Sequence, residues 1–358
     1  MNILLLGDFS GFHSTLKSGL CTLGYDVKLA STGDGWKKFD NDISLLPDFK
    51  NKNIEKLFRY LLPCKNFRQL YGFDVVQFVN PALLSVINPF NAIIGLQIVK
   101  RSGKTFLSAC GDDAFYLEGI KYLRYSPLKD AKLIDYKNNK MPIEYWWTQA
   151  WNRELASKVN GIIPVMYDYA HAYRLHPFLN VRKTIPLPVN LETIKYVGCN
   201  NNKSLKIRIF HGLNREGFKG TGYIREAFAI LTKKYSDCAE FVIQGHIPYN
   251  SYISHLSEFD IVIDQVNSYS CGLNGIVAMA LGKVVVGGCE PESLQEFNEI
   301  YSPVINIVPS VNDIVEKISE LILNRHKLND IGYKSRIFAE KHHCHIKIAE
   351  LYYKEWLA

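Results

Sequence analysis

Four loops in this sequence carry residue types able to do chemistry, and the fullest runs from His211 to Thr221, with Arg215, Gly217, Lys219 and Gly220 inside it. An apolar run precedes it and a long amphipathic stretch follows, so two cations and several glycines converge on a helix N-terminus. Backbone N–H groups there carry partial positive charge, and Arg215 and Lys219 add full charges, a combination suited to a diphosphate; the plainer alternative is an exposed basic turn. A second polar loop, from Gln265 through Tyr269, Ser270 and Gly272 to Asn274, offers the short donors and acceptors that sugar or ribose hydroxyls need, unless its Ser and Asn only cap and turn. Near the start, the loop Gly7 to His13 contains Ser10 and Gly11, and its glycines allow close backbone approach to a ligand. In that loop His13 either serves a substrate or sits in an ordinary turn. Finally, Ser108 to Asp113 ends in Asp112 and Asp113, acids that orient or deprotonate a hydroxyl in one reading and cap the helix starting at Ala114 in the other.

The elements that must hold these loops alternate between strand and helix. Asn2–Leu6 is a continuous apolar run, Ser14 can cap a helix to about Leu23, and Asp26 to Ala30 gives a second buried strand, a βαβ unit of a parallel sheet. Further strands are expected at Asp74 to Val79, Thr105 to Ser108 and Gly161 to Val165. Two prolines within Thr184 to Asn190 and the Asn-rich stretch Cys199 to Lys203 interrupt the pattern. Beyond them it restarts: strand Lys206 to Phe210, helix Thr221 to Lys234, strands Glu240 to Gln244 and Ile261 to Asp264, helix Gly275 to Leu281, strand Lys283 to Gly287. The expected fold is therefore α/β, two Rossmann-like doubly wound domains facing a central cleft, with the loops after the strands at that cleft. The expected domains are 1–190 and 191–340, with a helix over about 341–358 packing back on the first.

Composition narrows the function. The 358 residues exceed one hydrophobic core, and 47% apolar with 22% charged residues describes a globular chain. Asn and Pro residues break the apolar stretch from Val75 to Ile98 before it could span a bilayer, and the start lacks a basic leader region, so a cytosolic location is expected. Eight cysteines without a Cys-x-x-Cys pair argue against a zinc ribbon, a redox dithiol and a disulfide framework. Around Cys344, His342, His343 and His345 read as a solvated helix start rather than a metal site. A net charge of +7 favours anionic partners, but no nucleic-acid-binding motif accompanies it, so nucleic acid is not expected. The first loop lacks the Gly-x-Gly-x-x-Gly spacing of a dinucleotide site, which weakens an oxidoreductase or epimerase reading.

The alternation, the Arg215 to Gly220 loop, the Asp260 to Gln265 strand and the Ala278-Met279-Ala280-Leu281-Gly282-Lys283 turn resemble the GT-B glycosyltransferases, specifically the retaining enzymes of family 4. Ser108 to Asp113 resembles the family's Gly-x-Asp position. The resemblance implies a hexosyltransferase-type enzyme for surface polysaccharide or glycoconjugate synthesis, using a nucleoside diphosphate sugar as substrate, with no cofactor and no required metal. It places the donor on the second domain and a glycan or lipid-linked acceptor on the first, and gives Arg215 and Lys219 the departing diphosphate. The family's glutamate pair would fall on Tyr269 and Val277, neither of which is a carboxylate; Asn274, Ser270, Glu290 and Glu292 are the candidates to stand in. A catalytically silent relative that binds sugar nucleotides or a partner is the rival reading. Asn51 to Phe73 mixes basic and aromatic residues, which fits either peripheral membrane contact or an ordinary core-facing helix.

Overall fold

In the computed structural model the described residues are 1–34, 39–45, 66–81, 89–128, 130–131, 143–199, 206–245, 247 and 249–358. They form two compact units. The first comprises Met1–Ile120, Ile134–Pro188 and His345–Ala358, and the second Lys121–Leu133 and Val189–Cys344. Lys121–Leu133 thus belongs with the second unit although it lies within the 1–190 range expected for the first domain. Residues 51–65 of the basic stretch and 200–203 of the Asn-rich stretch lie outside the described residues.

The first unit contains β1 (Asn2–Leu6), α1 (Phe12–Thr22), β2 (Asp26–Ser31), β3 (Ile43–Ser44), β4 (Val75–Phe78), α2 (Pro89–Arg101), β5 (Lys104–Ala109), α3 (Ala114–Gly119), α4 (Ile143–Lys158), β6 (Gly161–Pro164) and α5 (Tyr167–Arg174). Its strands pair in parallel in the order β3-β2-β1-β4-β5-β6, with Ile3 beside both Val27 and Val75. Ile3, Leu4, Leu5 and Leu6 are all fully buried, as expected for a strand covered on both faces. The C-terminal helix His345–Leu357 packs on α1. Its Trp356 indole donates to Gln77 Oε1 at 2.9 Å, and Gln77 Nε2 donates to Ser108 Oγ at 3.0 Å, so a polar residue inside β4 is satisfied.

The second unit contains β7 (Ile207–Leu213), α6 (Glu216–Lys219), α7 (Thr221–Tyr235), β8 (Ala239–Gly245), α8 (Tyr249–Ser257), β9 (Ile261–Ile263), α9 (Leu273–Leu281), β10 (Val284–Gly287), α10 (Pro291–Gln295), β11 (Ile305–Asn306), α11 (Val311–Leu323) and α12 (Leu328–His342). Its strands are also parallel, in the order β11-β10-β9-β7-β8. Helix α7 buries Ile224, Ala227, Phe228, Leu231 and Tyr235, one face at 3.6-residue spacing, against the core that Ile207, Ile209, Ile261 and Ile263 supply from the sheet. Each such large side chain contributes roughly 1.5–3 kcal/mol on burial.

Three sequence expectations need correction. The edge strands β3 and β11 were not anticipated, because two residues carry no readable period. Strand β7 continues through His211, Gly212 and Leu213, which read as loop; its pairing with β8 holds them extended. The histidines around Cys344 are not a solvated helix start: His343 and His345 are 4% and 0% exposed, and His342 Nε2 contacts Glu299 at 2.8 Å. Among the described residues no group of three or more His, Cys, Asp or Glu could hold a metal ion, and no helix is long and apolar enough to cross a membrane.

Candidate functional site

In a parallel sheet, ligands bind beyond the carboxyl ends of the strands, where the strand order reverses. In the second unit that point lies between β7 and β9. The loops leaving these two strands are the cation loop and the polar loop, and they meet: Lys219 Nζ donates to Asp264 Oδ1 at 3.0 Å. The lysine side chain is 12% exposed and the aspartate 1%, so this pair is largely removed from water. Asp264 Oδ2 accepts the Gly272 N–H at 2.6 Å, and Val266 N–H donates to the Lys219 carbonyl at 3.0 Å. Gly220 joins α6 to α7 at φ 71, a left-handed conformation, and a Cβ there would lie 2.7 Å from Val266 Cγ2. The two cations are therefore not on the long helix: Arg215 caps the single turn α6 and Lys219 ends it.

Arg215 is exposed, with its guanidinium 3.9 Å from the Phe218 ring centroid, so only one of the expected cations is built into the sheet edge. His211 is wholly buried and held near pKa 4, first by burial and then by the charge of Lys219. Its Nδ1 faces the Ile263 carbonyl at 2.9 Å and can only donate there. Nε2 of the neutral ring therefore accepts from Thr221 Oγ1, also at 2.9 Å. His211 thus locks α7 onto β7 and β9.

The remaining donor-side candidates lie in the loops after β9 and β10 or at the start of α9. Ser270 is buried, and its hydroxyl meets that of Ser293 at 2.9 Å, tying the loop after β9 to α10. Asn274 opens α9 beside β7; a Cβ on Gly212 would lie 3.3 Å from its Nδ2. Tyr269 is 2% exposed, and its hydroxyl accepts from the Arg124 backbone N–H at 2.9 Å and from Arg124 Nε at 3.0 Å. Arg124 Nη2 also bonds Glu290 Oε2 at 2.6 Å and lies 3.4 Å from Glu292 Oε1. Burial would raise the Glu290 carboxyl, but hydrogen bonds from Tyr125, Asn306 and Arg124 outweigh it and hold the group below its ordinary value. Val277 is a buried core residue of α9. Asp264, Arg124 and Tyr125 were missed as site residues. Arg124 lies 145 residues from Tyr269 and 166 from Glu290, so no local signal could have found that pairing.

At the corresponding edge of the first unit, Asp113 is buried and caps α3, accepting from Tyr116 N–H at 2.8 Å and from the Tyr173 hydroxyl at 2.7 Å. Burial pushes its carboxyl up to about 7. Asp112 is the exposed acid of the two. His13 is fully buried rather than turned toward a substrate: Nδ1 faces the Gly7 carbonyl at 2.7 Å, and burial lowers its pKa to about 3. Gly11 stands at the N-cap of α1 and Ser10 N–H donates to Asp34 Oδ2 at 2.7 Å. The first amides of α1 already have an anion: Asp8 accepts from His13 N–H at 2.9 Å and Ser14 N–H at 3.3 Å, and burial raises its carboxyl to about 6. That role had been expected of Ser14, whose hydroxyl instead donates to Asp8.

No protein-family model matches this sequence, and no curated protein matches it. Solved structures do match in shape. Sucrose-phosphate synthase from Thermosynechococcus elongatus superimposes with a TM-score of 0.65 at 14% identity over 100% of both chains. Anabaena HepE in complex with UDP and glucose gives 0.62 at 12% identity, again over 100% of both chains. A glycosyltransferase from Rickettsia africae gives 0.57 at 12% identity over 99% of this chain and 97% of its own. With two parallel sheets flanked by helices and this likeness along its whole length, the chain has the two-domain α/β GT-B fold of those glycosyltransferases.

Proposed function

We propose that the protein is a glycosyltransferase that takes a sugar from a nucleoside diphosphate sugar and passes it to a hydroxyl of a glycan or lipid-linked acceptor. The observation that carries this reading is the lysine at the strand-order reversal of the second unit, held against Asp264 at 3.0 Å. An ammonium in such a place can leave its carboxylate for a ligand diphosphate and compensate the negative charge that grows as the glycosidic phosphate bond breaks. Arg215, exposed and lying against the Phe218 ring, adds a second cation to the same loop. The likeness to HepE, solved with UDP and glucose, supports the nucleotide sugar as donor class. On the first unit Asp112 is assigned to the acceptor hydroxyl. Retention of configuration, a hexosyl donor, a polysaccharide or glycoconjugate pathway and contact with the inner membrane face complete the proposal on the resemblance alone.

Thermal-shift screening of the full chain against UDP, GDP and their sugars tests the donor, followed by an assay of nucleotide release with the compounds that stabilise it. We expect at least one nucleoside diphosphate to raise the melting temperature, and Lys219→Met to abolish that rise. If none stabilises the protein, the reading fails. The silent-relative reading has one observation in its favour, the absence of a carboxylate at Tyr269 and Val277, and it predicts donor binding with no nucleotide release under any acceptor.

A further inference from the structure

Lys121–Leu133 leaves the first unit after Ile120 and belongs to the second. Arg124 and Tyr125 anchor it at one end: the Tyr269 hydroxyl accepts from the Arg124 backbone N–H at 2.9 Å, and Tyr125 donates to Glu290 Oε1 at 2.6 Å. Leu128, 2% exposed, holds the middle by packing, and the Ala131 N–H closes a turn onto the Pro127 carbonyl at 2.9 Å. That turn brings Asp130 to the cation loop. Its Oδ2 accepts from Asn267 Nδ2 at 2.9 Å, and the same nitrogen donates to the Gly217 carbonyl at 3.1 Å. The Asp130 carbonyl lies so close to Gly217 that a Cβ there would collide with it.

Asn267 Nδ2 also lies against Gly220, where a Cβ would be 3.3 Å away, and Gly220 opens the 15-residue helix α7 without a side-chain cap. The Asp130 charge reaches the first turn of that helix, where burial first and this carboxylate second raise the Tyr223 hydroxyl. A carboxylate thus stands where a diphosphate would bind. Glu216 in the same loop pairs with Arg225, and Asp264 pairs with Lys219. With Asp130 seated, the acids therefore equal the bases, and when Asp130 leaves, one positive charge is in excess for an incoming anion. We propose that Asp130 is the resident anion of the cation loop and that a nucleoside diphosphate binds by lifting it away, so that the Lys121–Leu133 segment restrains the donor site. The proposal rests on the nucleotide-sugar reading above and adds to it how the site is held shut. Where a closed and an open form compete, apparent affinity falls with the open fraction, so a change that unseats Asp130 tightens the diphosphate.

The test uses the full chain with UDP, or GDP if guanine nucleotides are the ones that stabilise, and reads affinity by calorimetric titration and opening by hydrogen exchange. Asp130→Asn keeps an acceptor for Asn267 but removes the charge, and Leu128→Ala loosens the packing without touching charge or ligand. Each should tighten the diphosphate at least about threefold, as the open fraction rises. In wild type, saturating diphosphate should speed amide exchange in the peptide that contains Asp130 and Ala131. Asp130→Asn that binds no better than wild type overturns the proposal, as does a diphosphate that slows this exchange or leaves it unchanged. Tightening by Asp130→Asn with none by a folded Leu128→Ala reduces the effect to local charge and overturns the lifting of the segment. If Leu128→Ala does not fold, Asp130→Asn and the exchange measurement decide the matter. Nucleotide binding by neither wild type nor variant sinks the functional reading itself, a result distinct from binding that ignores Asp130.

Discussion

Lys219 and Asp264 make two opposite-signed predictions about the same pair. At 3.0 Å and an effective dielectric near 20, their attraction is roughly 5 kcal/mol, which desolvation of both groups largely offsets. Lys219→Met removes the attraction and leaves the carboxylate buried, with Gly272 N–H as its remaining short-range donor. The expected cost is about 3 kcal/mol, the low end for a broken buried pair. For a unit of this size that lowers its melting temperature by roughly 6–12 °C. The double variant Lys219→Met, Asp264→Asn should recover at least about 1–2 kcal/mol, because the uncompensated charge is gone. Ligand binding should respond differently. If Lys219 moves to a diphosphate, Asp264 competes for it, so Asp264→Asn alone should tighten UDP severalfold even though it destabilises the fold, and Lys219→Met should abolish the UDP-dependent rise. That rise should be worth about 2.7 kcal/mol at a ligand concentration 100-fold above Kd. Calorimetric titration and scanning on the four proteins of the cycle read both quantities. Asp264→Asn that weakens UDP, together with Lys219→Met that keeps it, would refute the reasoning and make the pair purely structural.

Other consequences are simpler to check. Asp113 is held near pKa 7 by burial, above its unfolded value, so the native state keeps a proton that the unfolded chain has released. Stability of the first unit should therefore fall as pH rises from about 4 to 7, by at most ~1.4 kcal/mol per pH unit from this group, and Asp113→Asn should flatten that slope in melting curves. His211 is depressed to about 4, so its contribution is present above pH 6.5 and lost as pH falls toward 4; His211→Asn should blunt the acid sensitivity of the second unit. Trp356→Phe leaves Gln77 Oε1 buried without its donor and should cost about 1–3 kcal/mol by denaturant titration, with the slope m unchanged. Gly217→Ala forces the Asp130 carbonyl away and should open the Lys121–Leu133 segment to limited proteolysis before the rest of the second unit.

The alternation of buried strands with amphipathic helices was legible in the chain because its signal is local. Continuous apolar runs such as Ile3 to Leu6 mark parallel strands, and the spacing of Ile224, Ala227, Phe228 and Leu231 marks a helix face. The loop with Lys219 stood out for the same reason, since its residue types and its place after a strand lie within eleven positions. What those residues touch was not legible. Lys219 meets a carboxylate 45 positions away, and Arg124 meets Tyr269 and Glu290 across 145 and 166. Nor could types alone separate Asp112 from Asp113, or say that His13 and His211 are neutral and enclosed. Local periodicity decides which element a residue joins. Burial, charge state and partner depend on what the rest of the chain brings alongside, and only the packed tertiary structure supplies that.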